Sequence, residues 1–282
     1  MNTLRLMTHN QWKNDNNQPA WEEKGLDCSA SVRMRGFVRV YKETMPDIIG
    51  CQETSAVMAD KMIRYCAEEG LRYALLWGRD TPIVYRPDRF ELVDSHFELY
   101  PDACPSYEGC FNNAKTKSYN LGVFRVKENG HLFLFMSTHL WWKSNNPESR
   151  AYQPFSDEAR AYQIGLAIDK VSEFQKTYQC PAVIVGDFNA DYPSLAVTAA
   201  KEHGFVHAHD VATDYADNTA GYHRCFPWGF DPFYSDRPFT SAVDHIFLRG
   251  FEDGSVRRFE RYSPAYYLPL SDHSPAFADV VI

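Results

Sequence analysis

Little in this sequence is built for a membrane, a disulfide scaffold or a polyanion. Its longest apolar runs, such as LFLFM at 132–136, fall far short of the ~18 residues a membrane span requires. The seven cysteines, Cys28, Cys51, Cys66, Cys104, Cys110, Cys180 and Cys225, are odd in number, scattered and never spaced as CxxC. That pattern argues against a disulfide framework and against a structural zinc knuckle, and reads as reduced thiols. The formal charge is -8, so the average surface repels polyanions and a broad basic grip on duplex DNA is disfavoured. Two basic clusters, Arg33, Arg35 and Arg39, then Arg257, Arg258 and Arg261, read as solvated faces of a helix and a strand. The opening MNTLRLMTHNQW lacks the basic stretch and apolar core of a signal peptide. A cytoplasmic location is therefore the default expectation, with a secreted or periplasmic one if a leader has been removed.

What is present is enough apolar content for a large core, 44% over 282 residues, with no internal repeat, low-complexity tract or linker-like shift. One domain over 1–282, in a monomeric protein, is expected. Strand LRLMTH precedes a polar loop. A helix over about Ser31 to Thr44 follows, with Met34, Phe37, Val38, Tyr41 and Met45 at three- and four-residue steps and Pro46 as its stop. Then come strand DIIGCQ, a helix near 55–69 closed by Gly70, strands YALLW, PIVYR and FELVDSHFELY, and a hairpin of LGVFRV and HLFLFMST about Asn129 and Gly130. A long helix is expected with Ser156 as its N-cap and Ile164, Ile168, Val171 and Phe174 buried, then strand AVIVGD. A short helix with Pro193 at its first position and strands AVDHIFL and PAFADVVI complete the chain. Strands joined by crossover helices and mixed with hairpins make an α/β protein with mixed sheets.

Five segments share one habit: an apolar run ends abruptly in groups that bind metal, phosphate or protons. LRLMTHN ends at Asn10, DIIGCQE at Glu53, LFLFMSTH at His139 and AVIVGDFN at Asp187 and Asn189, while SDH, with Asp272 and His273, precedes the last strand. AVDHIFL instead carries Asp244 inside its apolar alternation. Residues at the carboxyl ends of strands in an open α/β sheet face a common crevice, so separate strands can assemble one site. Each piece alone has an ordinary structural reading. Asp-Phe-Asn and SDH suit Asx turns, Glu53 the entrance of a helix, and His139 beside two tryptophans a packed ring. Their joint order is what chance does not readily supply.

With MTHN, PDIIGCQET, STHL, GDFNAD, VDHIFL and SDHSP in order over nearly the whole chain, the sequence resembles the endonuclease/exonuclease/phosphatase superfamily, the deoxyribonuclease I-like metal-dependent phosphoesterases. GDFNAD with SDHSP carries most of the specificity. The resemblance implies a four-layer α/β sandwich, two mixed β-sheets packed face to face with helices outside. It implies Glu53 as principal ligand of Mg²⁺ or Mn²⁺, with Asn10 as a helper and Asp272 as a carboxylate near the metal. Asp187 would position or deprotonate the attacking water, Asn189 would hold that water or a phosphate oxygen, Asp244 and His273 would act as a pair, and His139 would contact the scissile phosphate. Trp12 stands where some members carry an acidic residue, which disfavours a second metal.

The chemistry agrees with this, since hydrolysis of a phosphate ester requires neutralised oxygens, an aligned water and a protonated leaving group, and hard oxygen ligands suit Mg²⁺. The stretch NTAGYHRCFPWGFDPFYSDRPFT and STHLWWKSNN are rich in aromatics, which either pack over a sheet edge or wall a substrate pocket. Trp141, Lys115, Lys117, His223 and Trp228 are the candidate substrate-binding residues. With no long basic loops, a small sugar-, nucleotide- or lipid-like phosphoester ranks above duplex DNA as the substrate. The alternatives are a nuclease of the same superfamily, a non-catalytic binding module on the scaffold, and a zinc hydrolase using His203, His207 and His209, which lack an HExxH pattern.

Overall fold

The computed structural model describes residues 3–192, 194–216, 242–262, 264–267 and 269–282. Pro193, His223, Cys225 and Trp228 lie outside the described residues. In chain order the elements are β1 (Thr3–Asn10), α1 (Pro19–Glu22), α2 (Ala30–Thr44), β2 (Ile48–Gln52), α3 (Ala56–Glu68), β3 (Ala74–Leu76), β4 (Ile83–Tyr85), β5 (Phe90–Leu99), β6 (Ser118–Val126) and β7 (Leu132–His139). There follow α4 (Ser156–Tyr178), β8 (Ala182–Asp187), α5 (Leu195–Glu202), β9 (Val206–His207), α6 (Ala208–Val211), β10 (Asp244–Arg249), β11 (Val256–Arg261), a 3₁₀ turn (Ala265–Tyr267) and β12 (Ala276–Val281).

These strands form two six-stranded mixed sheets, ordered β11-β12-β1-β2-β4-β3 and β5-β6-β7-β8-β10-β9. One apolar cluster joins them face to face: Leu4, Leu6 and Ile48 from the first sheet meet Phe133, Phe135, Val183, Val185 and Ile246 from the second. Helices α2 and α3 cover the outer face of the first sheet through Met34, Phe37, Tyr41, Met58 and Met62. Helices α4 and α5 cover the other through Ile164, Ile168, Val171, Ala196 and Val197. This is the expected four-layer sandwich. Because β2, β7 and β8 are covered on both faces, they read as largely continuous apolar runs and not as alternating ones.

The parallel pairs β1–β2 and β7–β8 need crossovers, which α2 and α4 supply, and parallel neighbours end side by side. The register then does the positioning. His139 lies opposite Asp187 across β7–β8, and Asp187 lies opposite Asp244 across β8–β10. Three of the candidate residues therefore form one row at one end of the second sheet. At the same end of the first sheet Asn10 lies opposite Gln52, one residue before Glu53.

Several local expectations are corrected. Ser156 is the first helical residue of α4 and not its N-cap; Phe155, in a left-handed conformation, holds that place, and Ser156 Oγ donates to the Gln153 carbonyl. The short helix α5 opens at Leu195, with Ser194 Oγ accepting from Val197 N–H. Met45 is exposed as the left-handed cap of α2. Asp244 is the first residue of β10 and not an interruption within it. Strands β9 and β11 and helices α1 and α6 carry too short or too mixed a pattern to stand out in sequence. Arg33 and Arg261 are not on solvated faces but buried.

The six described cysteines are all free thiols, four of them buried. Among the described residues no helix is long and apolar enough to cross a membrane. The inter-sheet layer is tight at Gly50, where a Cβ would collide with Val185 and Ser137, and the β7–β8 seam is tight at Gly186, where one would overlap the Thr138 carbonyl. Since backbone is the obstacle at Gly186, Gly186→Ala must part the two strands that carry His139 and Asp187. The expected cost is ~1–3 kcal/mol or more, read from urea denaturation, and a variant as stable as the parent would contradict the seam as described.

Candidate active site

At the shared end of the two sheets the polar tips converge. Asp187 is buried at the end of β8 and is the hub: Asn10 Nδ2 donates to its Oδ2 at 2.9 Å, and its Oδ1 accepts the Asn189 N–H at 2.7 Å. His139 Nε2 stands 3.4 Å from Asp187 Oδ2 and 3.8 Å from Glu53 Oε1. His273 Nε2 lies 3.8 Å from Asp187 Oδ2 and 4.0 Å from Asp272 Oδ1, while its Nδ1 donates to Asp244 Oδ2 at 2.7 Å. Glu53 and His273 therefore share one cluster, joined through Asp187.

Three residues of the strand ends, Trp12, Glu53 and Asn189, have positive φ of 49°, 52° and 49°. Asparagine tolerates this region; glutamate and tryptophan enter it at a cost. Such turns end each strand abruptly. Asn189 is held further by its Nδ2, which donates to the Leu140 carbonyl at 3.1 Å.

The cluster is framed by buried groups that the sequence did not announce. Arg33 donates to the carbonyls of Gln11, Trp12, Asn14, Cys28 and Leu270, and so ties the loop after β1 to the loop holding His273. Its guanidinium also lies 4.7 Å from the Trp12 ring. Trp12 thus builds the wall of the loop, at the position where an acidic residue was sought. Ser271 Oγ donates to the Asn10 carbonyl and accepts the His273 N–H, and Tyr267 hydroxyl donates to the His273 carbonyl. Every one of these hydrogen bonds is to main chain, so residue type alone gives little hint of them.

Lys117 is buried, with Nζ 2.5 Å from His139 Nε2. It belongs inside the cluster. Lys115 is exposed and ion-pairs with Asp102. Trp141 is buried against Phe111 and Ala159 with its main-chain N–H on Gln163, whereas its neighbour Trp142 is half-exposed. Asn10 turns its NH₂ to the carboxylates, since its Oδ1 accepts the Trp12 N–H at 2.9 Å. It thus holds Asp187 and faces Glu53 instead of offering an oxygen.

Burial pushes the His273 pKa down, but Asp244, Asp187 and Asp272 outweigh it and raise it to about 10, so the ring is an imidazolium at neutral pH. Burial raises Asp187 to about 6, against the pull of His273. Lys117 is lowered to about 8 by burial, with Glu53 and Asp187 opposing. His139 is driven well below 6.5 by burial and by the Lys117 and His273 charges, and stays neutral.

The residues fit a divalent cation on two observations. Glu53, His139 and Asp187 offer ligand atoms all within 4.8 Å of one another, as do Asp187, Asp244 and His273. Glu53 is only partly buried and accepts nothing shorter than 3.4 Å among the described residues, so its oxygens remain available. Four carboxylates, Glu53, Asp187, Asp244 and Asp272, stand against two cations, Lys117 and His273, which leaves a formal excess a divalent ion would cancel. His203, His207 and His209 form no metal-capable group among the described residues.

A family model described as the Endonuclease/Exonuclease/phosphatase family matches residues 8–273. The chain belongs to that family. No curated protein sequence matches it. Among solved structures, an endonuclease/exonuclease/phosphatase family protein from Bacteroides thetaiotaomicron is 19% identical with a TM-score of 0.75, covering 99% of this chain and 95% of its own. One from Bacteroides vulgatus is 21% identical with a TM-score of 0.74, covering 100% of both chains. A mannosyl-6-phosphatase from Bacteroides thetaiotaomicron is 21% identical with a TM-score of 0.71, covering 99% of this chain and 100% of that one. At these identities the likeness is one of fold. Members of the endonuclease/exonuclease/phosphatase family are typically metal-dependent hydrolases of phosphoester bonds.

Beyond the cluster, two further histidines are locked in a buried chain. His209 N–H donates to His207 Nδ1, which leaves His207 Nε2–H to donate to His245 Nδ1 at 3.1 Å, and His245 Nε2–H donates to the Ala190 carbonyl at 2.8 Å, one residue after Asn189. Both rings must be neutral for this to hold. Burial lowers His245 to about 4 and His207 well below 6.5, and His9, hydrogen-bonded between Tyr41 and Tyr267, to about 3.

The sign follows from linkage. The unfolded chain takes up protons below pH 6.5 that the folded rings refuse, so this stability is whole above 6.5 and is lost as pH falls towards 4. A fall from 6.5 to about 4 makes His245 alone responsible for at most ~3 kcal/mol. Asp187, raised to about 6, opposes it in part. His273 works the other way: its contribution is whole below 6.5 and is lost as pH rises through about 10. Denaturant midpoints measured in EDTA across pH 4–10 are expected to peak near 6–7; a flat profile between 4 and 6.5 would contradict neutral buried histidines.

Proposed function

We propose that this protein is a Mg²⁺- or Mn²⁺-dependent phosphoesterase that hydrolyses a small phosphodiester or phosphomonoester by in-line attack of an activated water. The observation that carries the reading is the meeting of Glu53, His139, Asp187, Asn189, Asp244 and His273, from separate strand ends, around Asp187. A divalent ion held by Glu53, with Asp187 and Asp272 near it, would supply charge neutralisation at the phosphoryl oxygens.

The chain's own residues do the rest. Asp187, whose carboxyl is raised to about 6, is poised to take a proton from the attacking water near neutral pH. Asn10 fixes one of its oxygens and the Asn189 N–H the other, which leaves its orientation little freedom. Asn189 then aligns the water or a phosphate oxygen. The imidazolium of His273, held by Asp244, donates to the phosphate or to the departing oxygen. Lys117 places its positive charge on the same Nε2 edge of His139 that faces Asp187 and Glu53, where it and the neutral ring would border the phosphate. A net-acidic surface supports a small substrate over duplex nucleic acid.

The test is turnover of bis-p-nitrophenyl phosphate and p-nitrophenyl phosphate with Mg²⁺ or Mn²⁺. Turnover abolished by EDTA and restored by either ion is expected; dependence on Zn²⁺ alone, or no turnover of any phosphoester, would overturn the reading.

A further inference from the structure

The loop that follows His139 borders an open cleft. It runs through Trp142, Lys143, Ser144, Asn145 and Asn146 and forms one wall of a cleft of about 640 Å³. The other walls are Asn189, Ala190 and Asp191 after β8, Ser194, Leu195 and Thr198 of the α5 segment, and the Asp157–Arg160 pair of α4. The size lies within the ~300–1,000 Å³ typical of small-ligand sites. Asn189 belongs to both the cleft and the phosphoryl site.

The lining decides what chemistry fits. Its charges balance: Arg160 is paired with Asp157 and holds the carbonyls of Trp141 and Lys143, and Lys143 is offset by Asp191. A polyanionic strand finds no excess of positive charge there. An acyl chain or flat heteroaromatic ring would need apolar walls, yet Trp142, Ala190 and Leu195 are nearly all the apolar groups present. Ten of the thirteen lining residues carry polar side chains, while polar and apolar atoms share the wall about evenly. The Oδ1 atoms of Asn145 and Asn146 are used locally, accepting from Phe155 N and Glu148 N, so what these side chains have to offer a ligand is their NH₂ donors. The half-exposed Trp142 indole adds one flat apolar face. Many hydrogen-bonding groups with a single aromatic platform match a neutral, hydroxylated ring.

We propose that this cleft is the subsite for the non-phosphate part of the substrate, and that this part is a polyhydroxylated ring, a sugar or cyclitol. The assignment rests on the phosphoesterase reading for its role in turnover, but not for binding. Saturation-transfer NMR of the full chain in EDTA, with neutral D-glucose, D-ribose and myo-inositol as probes, tests binding without catalysis. At least one is expected to receive saturation, and Thr198→Trp, an exposed helical position whose indole would fill the cleft, is expected to abolish it. No transfer to any probe, or transfer unchanged in Thr198→Trp, overturns the proposal whether or not the protein hydrolyses phosphoesters.

Kinetics then tie the cleft to the reaction. In Trp142→Ala, kcat/KM for glucose 6-phosphate, ribose 5-phosphate or myo-inositol 1-phosphate, whichever the parent turns over best, is expected to fall ~10-fold more than that for p-nitrophenyl phosphate. Equal falls, or none, would overturn the cleft as a substrate subsite while leaving the hydrolase intact.

Discussion

His273→Ala is expected to lower kcat on bis-p-nitrophenyl phosphate by ~10²- to 10⁴-fold, with kcat/KM falling in parallel. The reason lies in the division of labour between its two nitrogens. Nδ1 is spent on Asp244 at 2.7 Å, which fixes the tautomer and holds the ring charged. Nε2 is left facing Asp187 and the place where a phosphoryl group would sit. A ring charged at neutral pH can stabilise developing negative charge or release a proton to the leaving oxygen, and both occur late along the reaction. Asp244→Asn should lower the rate less than His273→Ala, and the double variant should be no slower than His273→Ala, because the pair works as a unit. Additive losses would mean that Asp244 acts through something other than the imidazole. A loss in KM alone would move His273 from catalysis to binding.

The parts of this site that were legible in sequence are those set by strand ends. Asn10, Glu53, His139, Asp187 and Asn189 each close an apolar run, and a parallel sheet brings such ends together, so their order along the chain already implied a shared crevice. Asp244 was named as a candidate but read as lying mid-strand, because Ala242 and Val243 look like strand although pairing starts one residue later. What could not be read was the support. The hydrogen bonds of Arg33 all go to carbonyl oxygens, and no side-chain pattern encodes five converging carbonyls. Its i, i+2, i+6 neighbours Arg35 and Arg39 are exposed as expected, so the basic cluster was a fair description of two residues out of three.

Trp141 and Trp142 show a related limit. Adjacent residues leaving a strand end take opposite sides, and only packing against Phe111 and Ala159 decides that the first is core and the second is cleft wall. Lys115 and Lys117 divide the same way. Two residues apart, one pairs with Asp102 on the surface and the other is buried against His139.

The metal makes the largest demand on one side chain. Glu53→Gln keeps the length and shape of the residue and can keep its left-handed backbone, but it removes a carboxylate whose oxygens accept nothing shorter than 3.4 Å among the described residues. Stimulation by Mg²⁺ is expected to fall ~10³-fold, since charge stabilisation by a bound ion is worth several kcal/mol at the phosphoryl oxygens. Binding should be lost with it. The rise in melting temperature that Mn²⁺ gives the parent protein should shrink or vanish in the variant, because an ion that binds only the folded state stabilises it by mass action. Without metal the variant should be at least as stable as the parent, as one of four clustered carboxylates has been neutralised. If Mg²⁺ stimulation survives in Glu53→Gln and disappears instead in Asp244→Asn, the ion sits in the second ligand group, Asp187, Asp244 and His273. His273 would then be a ligand and not an acid, and the proton for the leaving oxygen would have to come from another group.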